Sequence, residues 1–125
     1  MSNNIPQMCV TNENLGAIVL AMQPSKEDDI FCIGGCGDQA FALVENGARV
    51  YVRDKFNSQL DLIRKRRSYI RKGDYFNFLN SGYFGKEGCN LHKVDRDKYF
   101  VKGRRLSRLR ENIDSLKILE SFDFF

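Results

Sequence analysis

A chain of 125 residues, 42% hydrophobic and 29% charged, suits a single globular domain and excludes a fibrous or disordered polymer. No run approaches the ~20 apolar residues of a membrane-spanning helix, and MSNNIPQMCV has no basic stretch ahead of an apolar one, so no secretory leader is expected and the expected location is cytoplasmic. The net charge of +4 is uneven: RKRRSYIRK (64–72) and KGRRLSRLR (102–110) hold over half of the basic residues, which invites an anionic partner.

In chain order, NENLGAIVLAMQ (12–23) repeats Leu15, Ile18, Val19 and Met22 at helical spacing behind a capping Asn12 or Asn14, and Pro24 stops it. The apolar run 30–34 reads as a buried strand. DQAFALVE (Asp38–Glu45) reads as a helix that ends at Asn46 and Gly47. RVYVR (Arg49–Arg53) is β-branched and aromatic, so it is a predicted strand. A helix capped by Asn57 or Ser58 runs to Lys72 with Leu60, Ile63 and Ile70 on one stripe, and Gly73 ends it. The aromatic, glycine-rich segment 74–90 reads as a short helix and an ordered loop, with Tyr75, Phe76, Phe78, Tyr83 and Phe84 as core or lid. His92 is read as a loop residue. A last helix is predicted over 103–115, from Leu106, Leu109 and Ile113, and a last strand begins at Lys117.

Alternating strands and helices with short connections imply a parallel sheet with right-handed crossovers. The expected fold class is α/β, a Rossmann-like parallel sheet with flanking helices. Three strands correspond to the N-terminal half of a doubly wound domain. The expectation is one partial domain over 1–125, with a helix and lead-in to residue 29 and a core from residue 30, and with a sheet edge left open to self-association. The chain reads as truncated. The cysteines Cys9, Cys32, Cys36 and Cys89 and the single His92 match no zinc spacing, so the thiols are expected to be structural and no metal is expected.

The stretch GGCGDQ follows the first predicted strand directly. Glycine there tolerates positive φ and lets a ligand approach the backbone, and the next helix points free N–H groups at that place. Asp54 ends the second strand, about 20 residues past the glycine turn, where such folds bind a ribose hydroxyl pair. Gly35, Gly37 and Ala40 fit the G-x-G-x-x-A form of the dinucleotide fingerprint, but Asp38 at the helix start would face a pyrophosphate. An acid and an amide there suit a ligand with a cationic amino group, such as S-adenosylmethionine.

IFCIGGCGDQAFAL with VYVRDKFNSQLDLIRKR resembles the S-adenosylmethionine site of class I methyltransferase-like folds. With DKYFVKGRRLSRLRENIDSLKIL added, the chain from Ile30 onward is similar to the S-adenosylmethionine:diacylglycerol 3-amino-3-carboxypropyltransferases of betaine-lipid synthesis. The resemblance implies a cofactor site at Gly35, Cys36, Gly37, Asp38 and Gln39, continued by Asp54, Lys55, Phe56 and Gln59, with Asp123 near the adenine. It also implies transfer of an aminocarboxypropyl or methyl group, and a lipid or anionic membrane surface as partner. The chain departs from the pattern at Ile33 (usually an acid), Gln39 (usually glycine) and Phe56 (usually Asn). His92 is the residue type of a general base but fits a structural role better. A second function class stays open: a basic binding module for nucleic acid or anionic membrane that keeps the fold without catalysis. The blandest reading makes both basic runs the wet faces of helices.

Overall fold

The computed structural model describes residues 10–11, 13–81 and 89–120. Helix α1 spans Leu15–Met22; Asn14 caps it by accepting from the Ala17 N–H at 3.0 Å, and Gln23 closes it in the left-handed region at φ 47°. The helix covers its apolar repeat from Leu15 to Met22, and of the two candidate caps Asn14 supplies the bond. Strand β1 (Asp29–Ile33), helix α2 (Asp38–Glu45), strand β2 (Arg49–Arg53) and helix α3 (Asn57–Lys72) follow, with β1 one residue earlier than expected and with Phe56 at the N-cap of α3, so neither Asn57 nor Ser58 caps it. A short helix α4 (Tyr75–Asn80) takes its cap from Asp74. Helix α5 (Cys89–Val101) was not expected; it makes His92 a helical residue, not a loop one. Helix α6 (Arg105–Asn112) passes through a 3-10 turn (Ile113–Ser115) into strand β3 (Leu116–Ile118), two residues shorter at its far end than the apolar run suggests.

The sheet has three parallel strands in the order β1-β2-β3, so the α/β Rossmann-like class stands. Two successive right-handed crossovers in the same direction put their helices on the same face. That face is the core: Val50, Val52 and Leu116 pack with Phe41 and Val44 of α2, Ile63 and Ile70 of α3, Phe78 of α4, Phe100 of α5 and Leu109 of α6. Edge-to-face ring contacts run from Phe41 to Phe78 to Phe100 at 5.2 and 5.3 Å, tying three helices together.

Strand β1 corrects one expectation. It is an edge strand open on one face, with Phe31 63% and Ile33 71% exposed, and Phe31 stacks on Tyr51 of β2 at 4.8 Å. Cys32 faces the helices instead and packs against the core. Of the aromatic segment, Phe78 is buried and Phe76 is 75% exposed; Tyr83 and Phe84 lie outside the described residues. Among the described residues no helix is long and apolar enough to cross a membrane, and no group of His, Cys, Asp and Glu could hold a metal ion.

Candidate functional site

The chain leaves β1 at Gly34, whose N–H donates to the Arg53 carbonyl at 2.6 Å. A Cβ at Gly34 would come within 2.9 Å of the end of the Ile63 side chain, which would have to shift, so glycine lets the strand ends and α3 close up as they are. Gly37, at φ +90°, turns the chain into α2; a Cβ there would meet the Phe41 ring at 2.8 Å. Loop and turn enclose a hollow of about 170 Å³ lined by Thr11, Ile33 and residues 34–39.

The side-chain bonds of the loop reach it from the end of β2 and from α3. Asp54 Oδ2 accepts from the Gly35 N–H at 3.0 Å, and its Oδ1 accepts from the Phe56 N–H at 3.0 Å. Gln59, 1% exposed, donates Nε2 to the Gly35 carbonyl at 2.5 Å. Arg66 donates to the Cys36 carbonyl at 2.9 Å. The predicted Gly35, Cys36, Gly37, Asp54 and Gln59 are therefore one bonded unit. Each Asp54 oxygen spends one lone pair on the backbone and keeps another for a ligand hydroxyl. Gln39 lines the hollow half-exposed. Lys55 is exposed with its Nζ 5.1 Å from the centre of the half-buried Phe56 ring, beside Asp54 and away from the hollow. Asp123 lies outside the described residues.

Asp38 is wired into the protein as well as facing the hollow. Its carboxylate is fully buried; Oδ1 sits 2.5 Å from an Arg66 nitrogen and 3.8 Å from one of Arg96, and Oδ2 accepts from the Thr11 N–H at 3.0 Å. Its charge is met from within the protein, while the residue also lines the hollow. Arg66 and Arg96 are themselves fully buried. Arg66 also donates to Ser81 Oγ at 3.0 Å and lies over the Phe41 and Phe78 rings, 5.1 and 4.3 Å from their centres. Arg96 bonds the Leu79 and Ser81 carbonyls and Asp97. Sequence reasoning missed Thr11, Arg66 and Arg96. A signal existed for Arg66: it falls between Ile63 and Ile70 on the apolar stripe of α3, where a cation demands a buried acid.

Part of each basic run is engaged internally. Arg64 pairs with Asp61 at 2.8 Å and Glu120 at 3.0 Å, and Arg71 with Asp114 at 3.0 Å. Arg105 and Arg108 each reach Glu45 at 2.9 Å. Arg67 has its pKa lowered by burial and then by the neighbouring Arg71 and Arg64 charges. The two cysteines by the site are poor nucleophiles. Burial pushes the Cys32 thiol up to about 11, and burial with the Asp38 charge beside it pushes Cys36 higher still. His92 lies on the other side of Thr11, in a groove of about 420 Å³ between α1 and α5 with Glu13, Asp95, Lys98 and Tyr99.

What the arrangement can do is hold a polar ligand across the carboxyl ends of β1 and β2, with hydroxyls on Asp54 and a small head group in the glycine hollow. No family model, curated protein or solved structure matches the chain.

Proposed function

We propose that this chain binds an adenosyl nucleoside, S-adenosylmethionine by the resemblance of its motifs, as part of an aminocarboxypropyl- or methyl-transfer function. One observation carries the reading: the buried carboxylate ending β2 is bonded directly to the glycine turn ending β1, with lone pairs to spare for a ribose diol. Asp54 would hold the ribose, Phe56 offers a ring face for the base, and Gly35 to Gln39 would take the amino-acid end. S-adenosylmethionine supplies an electrophilic carbon next to its sulfonium. The chain's contribution is orientation of that carbon toward an acceptor. The hollow of about 170 Å³ holds the head group of such a ligand and not the whole, since complete pockets run to ~300–1,000 Å³.

The ion pairs of Arg64, Arg71, Arg105 and Arg108 favour this reading over a nucleic-acid or membrane module, because those cations already have partners. Titration calorimetry with S-adenosylmethionine and S-adenosylhomocysteine tests it. Binding is expected, with at least a tenfold loss in Asp54→Ala, ~1.4 kcal/mol. No heat with either ligand at millimolar concentration, together with steeply salt-dependent DNA or RNA binding, would reverse the choice.

A further inference from the structure

We propose that the free edge of β1 pairs with β1 of a second copy of this chain, antiparallel about a two-fold axis at Phe31, so that two three-stranded sheets become one. This contact is independent of the nucleoside reading. Strand β1 ends the sheet, and among the described residues nothing bonds its outer side. Natural edge strands are commonly guarded by proline, lysine or a bulge. DIFCI has none of these, and its one charge, Asp29, is held by Arg49 at 2.6 Å. Exposed large hydrophobic side chains gather in the same stretch of chain. Phe31 and Ile33 on β1, with Leu20 and Met22 on α1 just before it, are four of the seven among the described residues.

The backbone decides which occupant fits. The Asp28 carbonyl accepts from the Arg49 N–H at 3.0 Å, and the Gly34 N–H donates to the Arg53 carbonyl at 2.6 Å. Even-numbered residues therefore turn their amide groups toward β2, and Asp29, Phe31 and Ile33 turn theirs outward. Those three are symmetric about Phe31. In an antiparallel ladder centred there, Phe31 exchanges two bonds with its own copy, and Asp29 exchanges two with Ile33 at each end. Every outward group of the strand is then used. A ladder centred on Ile30 or Cys32 leaves an outward residue of each strand without its pair.

The side chains agree. A two-fold axis through the sheet keeps both open faces on one side. Phe31 then meets Phe31 of the second copy, each ring already stacked on its own Tyr51 at 4.8 Å. Asp29 meets Ile33, Ile30 meets Cys32, and no like charges stand opposite each other. A strand of unrelated sequence could take the backbone bonds but not this self-matching, and an isologous pair uses up the edge.

Sedimentation velocity on the unmodified chain tests the pairing. A dimer that falls apart on dilution is expected; a monomer up to submillimolar concentration, or growth past the dimer, overturns the proposal. Hydrogen exchange locates the contact. The amides of Asp29, Phe31 and Ile33 are expected to slow as concentration rises, and a dimer that leaves them fast is a different dimer and sinks the idea. Phe31→Lys and Phe31→Glu each set like charges on the axis and are expected to weaken the dimer at least tenfold. Phe31 is 63% exposed, so neither change disturbs the core. A one-to-one mixture of the two variants is expected to recover the dimer, because position 31 faces itself; a mixture as weak as either alone contradicts the register. Phe76→Lys, at a 75% exposed ring on α4, should leave the dimer intact. An equal loss there would mean unspecific apolar association in place of edge pairing.

Discussion

Helix α2 ends in a buried acid on both sides, Asp38 at its start and Glu45 at its finish, and each acid is held by a pair of arginines from distant helices. The resemblance stops there. Arg66 and Arg96 have no solvent contact, whereas the side chains of Arg105 and Arg108 are 22% and 50% exposed. Asp38 anchors the glycine loop to α3 and α5; Glu45 anchors α2 to α6, with Tyr99 and Asn46 sharing its oxygens. An arginine that can reach water tolerates losing its partner. One that cannot is left as an uncompensated buried charge. The same residue pairing therefore means a rigid floor under the candidate site at one end and a surface clamp at the other.

The contrast breaks most visibly when the acids are removed. Asp38→Ala strands two buried guanidinium groups and is expected to cost ~3–5 kcal/mol, read as a lowered midpoint in chemical denaturation. Glu45→Ala leaves arginines that can swing into solvent, and ~1–3 kcal/mol is expected from the lost charged hydrogen bonds. Equal costs at the two ends would contradict the difference in exposure. A third acid calibrates the scale: Asp114, paired with Arg71 but with its side chain 88% exposed, should cost only ~0.2–1 kcal/mol as Asp114→Ala, and less at high salt.

The sequence carried the outline of this arrangement and hid its wiring. The period-two run RVYVR and the stripe of Leu60, Ile63 and Ile70 were enough for β2 and α3, and the glycine turn with Asp54 was enough to locate the candidate site. Helix α5 escaped because LHKVDRDKYFV offers few apolar positions; Arg96, Tyr99 and Phe100 bury it, and an arginine does not register in a hydrophobic pattern. Strand β1 looked buried because IFCIG is apolar throughout. Which of its faces is covered depends on strand order, and the 1-2-3 order leaves Phe31 and Ile33 outside. Asp38 was legible as an acid at a helix start. Its partner Arg66 stands a helix, a strand and half of another helix further on, and no local spacing announces that.

The smallest effect sharpens the comparison without touching either ion pair. Each end of α2 holds a weak acid that burial keeps protonated: Cys36 beside Asp38, and Tyr99 beside Glu45, both raised above their ordinary values. A raised folded-state pKa means the unfolded chain releases its proton first. The stabilisation is complete below the unfolded pKa and is lost as pH rises toward the folded one. For a cysteine, ordinarily near ~8.5, the loss begins around pH 9 and continues through the value of about 11 set for Cys32. Stability is thus expected to fall across that window, and Cys36→Ala to flatten the fall while changing little at pH 7. Tyr99→Phe should act only at the upper edge of the window, since phenol ionises near ~10 even when free. If Cys36→Ala leaves the fall unchanged, burial does not hold that thiol protonated, and the dry floor under the candidate site loses its physical basis.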